Sequence, residues 1–141
     1  MKVLFDTNVL LDVLLEREPY INVASKLVAL VDNGRIEGSA CATTVTTLYY
    51  IGAKDLGRKV AHEKLRTLLG IFEVAPVDRD VLQRALDDEG FSDFEDAVVH
   101  ESAHAAGVSA IVTRNGKDFT KATIPVFEPF ELLAAIAARA D

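Results

Sequence analysis

Three groups of oxygen-bearing side chains stand out by where they fall. Asp6 follows the apolar run Val3-Leu4-Phe5, Asp93 and Asp96 open a segment that continues Ala97-Val98-Val99, and Asp118 follows Ala110-Ile111-Val112 by a short turn. A carboxylate at the end of a buried run cannot join the core and must be paired, solvated or bound to a cation. Three strand or helix ends that each present a carboxylate suggest a divalent metal site made by folding. Oxygen donors without cysteine partners suit Mg²⁺ or Mn²⁺. Such an ion polarises a phosphoryl oxygen and lowers the pKa of bound water. Phosphodiester hydrolysis needs both effects and no side-chain nucleophile. Arg114 and Lys117 lie on the same loop as Asp118 and are placed to hold phosphates beside it.

Each acid also has a plainer role. Asp6 suits the cap of the following helix, Asp118 suits a surface turn, and Asp93 or Asp96 suits the first turn of its helix, where the dipole favours the ionised form. Capping accounts for one of the last two and poorly for both. At about 100° per residue, Asp93, Asp96, His100 and His104 share a sector of roughly 80° on an otherwise apolar helix. The His100/His104 spacing could bind zinc, but no further His or Cys lies in register. His62 reads as a surface residue, and Tyr49-Tyr50 as core and groove wall.

The elements that must position these groups alternate. Strands are expected at about 2–5, 36–41, 72–75, 110–113 and 125–127. Helices are expected at about 8–15, 20–31, 43–54, 58–69, 78–87, 95–106 and 128–138. That alternation predicts an α/β fold, a three-layer α/β/α sandwich around a mostly parallel sheet of roughly five strands. In such sheets ligands bind at the carboxyl edge of the strands, where Asp6 falls.

The 141 residues fit one domain spanning 1–141, and with half of them hydrophobic the chain can bury a real core. No apolar run approaches a membrane span, and a strand at the very N-terminus argues against a signal peptide. The single cysteine, Cys41, excludes an internal disulfide and suggests a reducing, cytoplasmic setting. Its apolar neighbours make it a buried, inert thiol. The net charge of −7 is unexpected for a nucleic-acid binder. However, Asp87, Asp88, Glu89, Asp93, Glu95 and Asp96 crowd into ten positions, and bound cations could offset part of that charge.

Val3-Leu4-Phe5-Asp6-Thr7-Asn8-Val9-Leu10, Asp93-Phe94-Glu95-Asp96-Ala97 and Ile111-Val112-Thr113-Arg114-Asn115-Gly116-Lys117-Asp118-Phe119 together resemble the PIN-domain family over nearly the whole chain. Among compact bacterial members the resemblance is to VapC-type toxins. It implies a PIN-like sandwich, Mg²⁺- or Mn²⁺-dependent cleavage of single-stranded RNA, a co-expressed antitoxin partner and a homodimer. Asp6, Asp96 and Asp118 match the metal-site acids of the family. Asp93 and Asn115 match supporting ligands or groups that hold the ligands. Asn8 and Thr113 match polar residues that orient the site and border the substrate. One departure stands out. Many members have a Glu early in the helix after strand two, and here Thr47 most nearly occupies that place.

Two other classes compete. Loss of that Glu would suit a weakened nuclease fold that holds RNA or a partner without turnover. A phosphoryl-transfer receiver or phosphatase would use Asp6 as nucleophile, but Asp6-Thr7-Asn8 lacks a second acid two residues on.

Overall fold

The structure is a computed structural model and describes residues 1–139. Five strands form one sheet: β1 (Lys2–Phe5), β2 (Glu37–Cys41), β3 (Glu73–Ala75), β4 (Ala110–Val112) and β5 (Val126–Phe127). Their order is β3-β2-β1-β4-β5, and every pairing is parallel. The expected sheet was mostly parallel, and the observed one has no antiparallel edge.

Parallel neighbours need long crossovers. Helices α1 (Thr7–Leu14) and α2 (Ile21–Asp32) link β1 to β2, α3 (Ala42–Leu56) and α4 (Arg58–Ile71) link β2 to β3, and α5 (Arg79–Asp87) and α6 (Phe94–Ala106) link β3 to β4. A 3-10 turn, Gly116–Phe119, lies between β4 and β5, and α7 (Pro129–Arg139) follows.

The pleat divides the core in two. Val3 and Phe5 of β1 and Ala110 and Val112 of β4 pack with α1, α2, α3, α4 and α7. Leu4 and Ile111 point to the opposite face and pack with Val81, Ala85, Ala97 and Val98 of α5 and α6. Because β1 and β4 are covered on both sides, they read as continuous apolar runs rather than alternating ones. Cys41 is fully buried in the second core, and Gly38 of β2 allows Val31 and Phe72 to close on the first.

Strand order also fixes where ligands can enter. The chain winds outward from β1 through β2 to β3, then returns to place β4 on the other side of β1. The crossovers therefore leave β1 and β4 in opposite directions, and a crevice opens above their carboxyl ends. No described helix is long and apolar enough to cross a membrane.

Candidate functional site

Asp6 stands at the carboxyl end of β1, and its backbone N–H still bonds to the Val112 carbonyl of β4 at 3.0 Å. It is the N-cap of α1, and its Oδ1 accepts from the Thr7 N–H at 2.8 Å. Its Oδ2 accepts from the Thr113 hydroxyl at 2.8 Å and from the Asn8 amide at 3.3 Å. The Asn8 amide also donates to Thr113 Oγ1 at 3.1 Å, and Asn8 Oδ1 accepts the Arg114 N–H at 3.0 Å. The Asn115 N–H donates to Thr113 Oγ1 at 3.0 Å. Asn8 and Thr113 therefore touch Asp6 itself: one short network fixes its rotamer and ties the end of β1 to the end of β4. All its donors are neutral.

Asp93 caps α6, its Oδ1 accepting from the Glu95 N–H at 2.8 Å and more distantly from the Asp96 N–H at 3.4 Å. Gly107 closes that helix in the left-handed region, at φ 67°. Asp96, in the first turn of α6, lines the same cavity as Asp6 at the end of β1. The 3-10 turn after β4 brings up Asp118, whose N–H bonds to the Asn115 carbonyl at 2.9 Å. Asp6, Asn8, Asp93, Asp96, Asn115 and Asp118 line one open cavity of about 290 Å³, together with Thr7, Glu95, Arg17 and apolar walls from Leu11 and Val99. Residues up to 112 positions apart in sequence thus meet above the crevice.

Crowding changes their proton affinities. Burial raises the Asp6 pKa above the ordinary 3.8, against the opposing hydrogen bonds from Thr113 and Thr7, and Asp118 and Glu95 raise it further by repulsion. Burial is also the main cause at Asp96, followed by repulsion from Asp6, Asp93, Asp118 and Glu95, and together they push it up to about 7. Carboxylates that raise each other's pKa this way would ionise more readily with a cation between them. The donors are carboxylate and amide oxygens, with no sulfur or imidazole. That set fits a hard divalent cation such as Mg²⁺ or Mn²⁺.

Other sequence readings come apart in three dimensions. Arg114 and Lys117 are not among the cavity's lining residues. The Arg114 guanidinium instead grips buried Asp12 with two bonds, Nε at 2.7 Å and an Nη at 3.2 Å, and lies 3.8 Å over the Tyr20 ring. The cation that does line the cavity is Arg17, from the loop after α1. Nothing in the local sequence Leu15-Glu16-Arg17-Glu18 marked it, because its position depends on the left-handed turn at Glu16, φ 52°. Glu95 also lines the cavity, although the sequence reading left it outside the site.

The polar stripe on α6 is not one surface. Asp93 and Asp96 face the acidic cavity. His100 is buried against Phe91, its Nδ1 2.8 Å from Glu101 and 3.9 Å from Asp88, and its Nε2 accepts the Thr123 N–H at 3.1 Å. His104 pairs with the Thr123 hydroxyl. Asp88, His100 and Glu101 could together present three ligand atoms to a metal, but the second imidazole is not part of that group. His62 is exposed and pairs with the Tyr49 hydroxyl at 2.9 Å. Tyr49 packs against the core as expected, whereas Tyr50 is 74% exposed.

Thr47 faces a separate cavity beside the acids, and its hydroxyl donates to the Thr43 carbonyl at 3.1 Å. Within that row of threonines it is Thr44 that reaches the end of β1, through a 2.8 Å hydroxyl contact with Thr7.

Comparison with known proteins adds to this geometry. The family model described as PIN domain matches residues 2–117. No curated protein matches the chain's sequence. Among solved structures, a toxin-antitoxin complex from Klebsiella pneumoniae contains a chain 26% identical, with a TM-score of 0.68, covering 92% of this chain and 98% of that one. VapBC2 from Rickettsia felis, bound to a DNA fragment from its promoter, gives 18% identity and a TM-score of 0.67, covering 91% and 98%. VapC20 from Mycobacterium tuberculosis, a toxin that cleaves the sarcin-ricin loop, gives 17% and 0.68, covering 86% and 95%.

Proposed function

The chain belongs to the PIN-domain family, and on that premise we propose that it is a metal-dependent endoribonuclease of the toxin-antitoxin type, hydrolysing phosphodiester bonds of single-stranded RNA. The observation that carries this reading is the convergence of Asp6, Asp96 and Asp118 on one cavity at the β1/β4 crevice, where, among the described residues, every hydrogen bond to the Asp6 carboxylate comes from a neutral donor.

Asp6, Asp96 and Asp118 would hold Mg²⁺ or Mn²⁺, with Asp93 and Asn115 completing the oxygen set. Asp93 has one oxygen committed to its cap and keeps Oδ2 for this role. A divalent ion bound there supplies a polarised phosphoryl oxygen and a water of lowered pKa. The chain's own residues do the rest. Thr113 and Asn8 hold the Asp6 carboxylate in one orientation, so that it does not reorganise during turnover. Asn8 lines the cavity and would border the substrate backbone, whereas Thr113, expected to do the same, is fully buried and acts only through Asp6. Asp96, crowded by the other acids, would be held ionised by the bound cation and serve as a ligand rather than as a base. Arg17 offers a guanidinium to the phosphate as it enters the acidic cavity. Lys117 and Arg114 act further along the strand, Arg114 mainly by fixing the loop that carries Asn115.

The Klebsiella and Rickettsia structures are complexes of a toxin with an antitoxin, and that supports an antitoxin partner for this chain. A homodimer and a cytoplasmic setting belong to the same reading. The test is direct. The purified protein should cut a single-stranded RNA in Mn²⁺ and stop in chelator, Asp6→Asn should be inactive while folded, and expression without its partner should arrest growth. Metal-independent cleavage, or no cleavage at any metal concentration, would refute it. The second result would favour the alternative of a catalytically weak module that binds RNA or a partner, which the uncharged Thr47 recommends.

A further inference from the structure

Beside the acidic cavity lies a second one of different chemistry. It is about 240 Å³ and is bounded by the start of α3, by α5 and by the first turns of α6. Thr7, Glu95 and Val99 line both cavities, so the two adjoin across a shared wall. Glu95 is the one charged residue of the second; its other polar groups are threonine hydroxyls. At its rim Phe94 and Leu82 leave 47% and 38% of their surface exposed.

Resting on the ribonuclease reading, we propose that this cavity is a nucleobase subsite, which receives the base next to the scissile phosphate and selects bases that carry an amino group. A phosphate would be repelled by Glu95 and by the acids next door. A base is uncharged and flat, and its π-face can stack on Phe94, as single-stranded nucleic acids stack on aromatic side chains elsewhere. The size suits one heterocycle rather than a larger ligand.

The hydroxyl network sets the preference. Thr47 gives its proton to the Thr43 carbonyl, and Thr44 shares one proton with Thr7. Donors are thus partly used within the protein, with one hydroxyl proton of the Thr7–Thr44 pair still free, while the more numerous oxygen lone pairs remain. The Glu95 carboxylate also only accepts. A wall of acceptors recognises N–H groups. Adenine, cytosine and guanine offer exocyclic amines, whereas uracil offers a single ring N–H. With threonine rather than glutamate at position 47, the cavity wall stays neutral enough to admit a base.

The test uses one RNA oligonucleotide cut at a single mapped bond, with copies that are abasic or carry uridine at each nucleotide flanking that bond. At one flank, the abasic copy should be cut about 10-fold or more slowly, the loss expected for one stacked base, and the uridine copy should fall between. Thr47→Phe, which fills the cavity, should make all copies equally poor while leaving Mn²⁺ affinity by calorimetry unchanged. Should that variant fail to fold, Phe94→Ser on the exposed rim should remove the same discrimination. Equal cleavage of intact and abasic copies by the unmodified protein, or a base preference that survives in the folded variants, would overturn the subsite. If nothing is cut, the nuclease reading fails on its own, and binding of the same oligonucleotides in Ca²⁺ decides here: weaker binding of the abasic copy supports the subsite, and equal binding overturns it.

Discussion

Asp6 and Asp12 are both buried aspartates on one strand-helix unit, 6% and 1% exposed, and the chain treats them in opposite ways. Asp12, inside the apolar pattern of α1, receives a two-pronged arginine from β4's loop, and a second arginine, Arg17, approaches to 3.9 Å. Asp6, at the strand end, receives only a hydroxyl, an amide and a backbone N–H. Burying a carboxylate is costly unless it is paired. At Asp12 the fold supplies the counter-charge itself. At Asp6 it supplies orientation, withholds the counter-charge, and adds four more acids around it. The difference separates a contact closed within the fold from a cluster of acids that suits the cation proposed above.

The comparison breaks most visibly at Asp12. Arg114→Met leaves a buried carboxylate without its main partner and should cost about 3–5 kcal/mol of stability in urea unfolding. Adding Asp12→Leu to it should recover much of that loss. A near-neutral Arg114→Met would show that Arg17 alone can hold Asp12.

At Asp6 the opposite is expected. Asp6→Asn should lower metal-dependent cleavage about 100- to 1,000-fold, while the unfolding midpoint without metal stays the same or rises. A variant that is both inactive and strongly destabilised would place Asp6 on the structural side of the comparison.

Arg17 sits between the two. Its guanidinium makes no hydrogen bond among the described residues, and its 3.9 Å approach to Asp12 is a loose one. Arg17→Met should raise the KM for RNA about 10-fold, the scale of one charge-assisted hydrogen bond, with kcat and stability little changed. A large stability loss with unaltered KM would assign it to Asp12 instead.

The smallest effect concerns pH. Asp96 has a folded-state pKa of about 7, above the ordinary 3.8, so the folded protein holds this proton more tightly than the unfolded chain does. Stability from this group is fully present below pH 4 and declines as pH rises toward 7. Asp96→Asn should flatten that decline and raise the metal-free melting temperature at pH 7.5 by roughly 3–6 °C. Mn²⁺ should stabilise the unmodified protein more than the variant. A metal-free melting curve of the unmodified protein that is flat between pH 4 and 7 would rule this out.

The ladder of elements was legible because each run was strongly patterned, and boundaries moved by only one or two residues. α3, for instance, runs Ala42–Leu56 where about 43–54 was expected. Asp6, Asp93, Asp96 and Asp118 could be read as strand-end and helix-start acids because their local context announced it. Arg114 could not. From its neighbours it resembles a phosphate-binding loop residue, and only the fold reveals that Asp12, 102 positions away, claims it. Asp12 did leave a trace, an acid among Val9, Leu10, Leu11, Val13 and Leu14, and such an acid implies a buried partner without naming it. Arg17 and Glu95 escaped because side-chain direction at a left-handed turn and at a helix start is not written in residue type.

The 2.8 Å hydrogen bond from Thr113 to Asp6 joins residues 107 positions apart, and it has a temporal meaning. A ribosome makes β4, Thr113 and Asp118 more than 100 residues after Asp6. β1 cannot gain its β4 neighbour until then, and long-range parallel pairing is slow in any case. A nascent chain therefore presents Asp6 without its partners, and the complete constellation appears only once β4 and the turn after it have been made. If the chain cuts RNA, the machinery translating it is protected by the order of its strands.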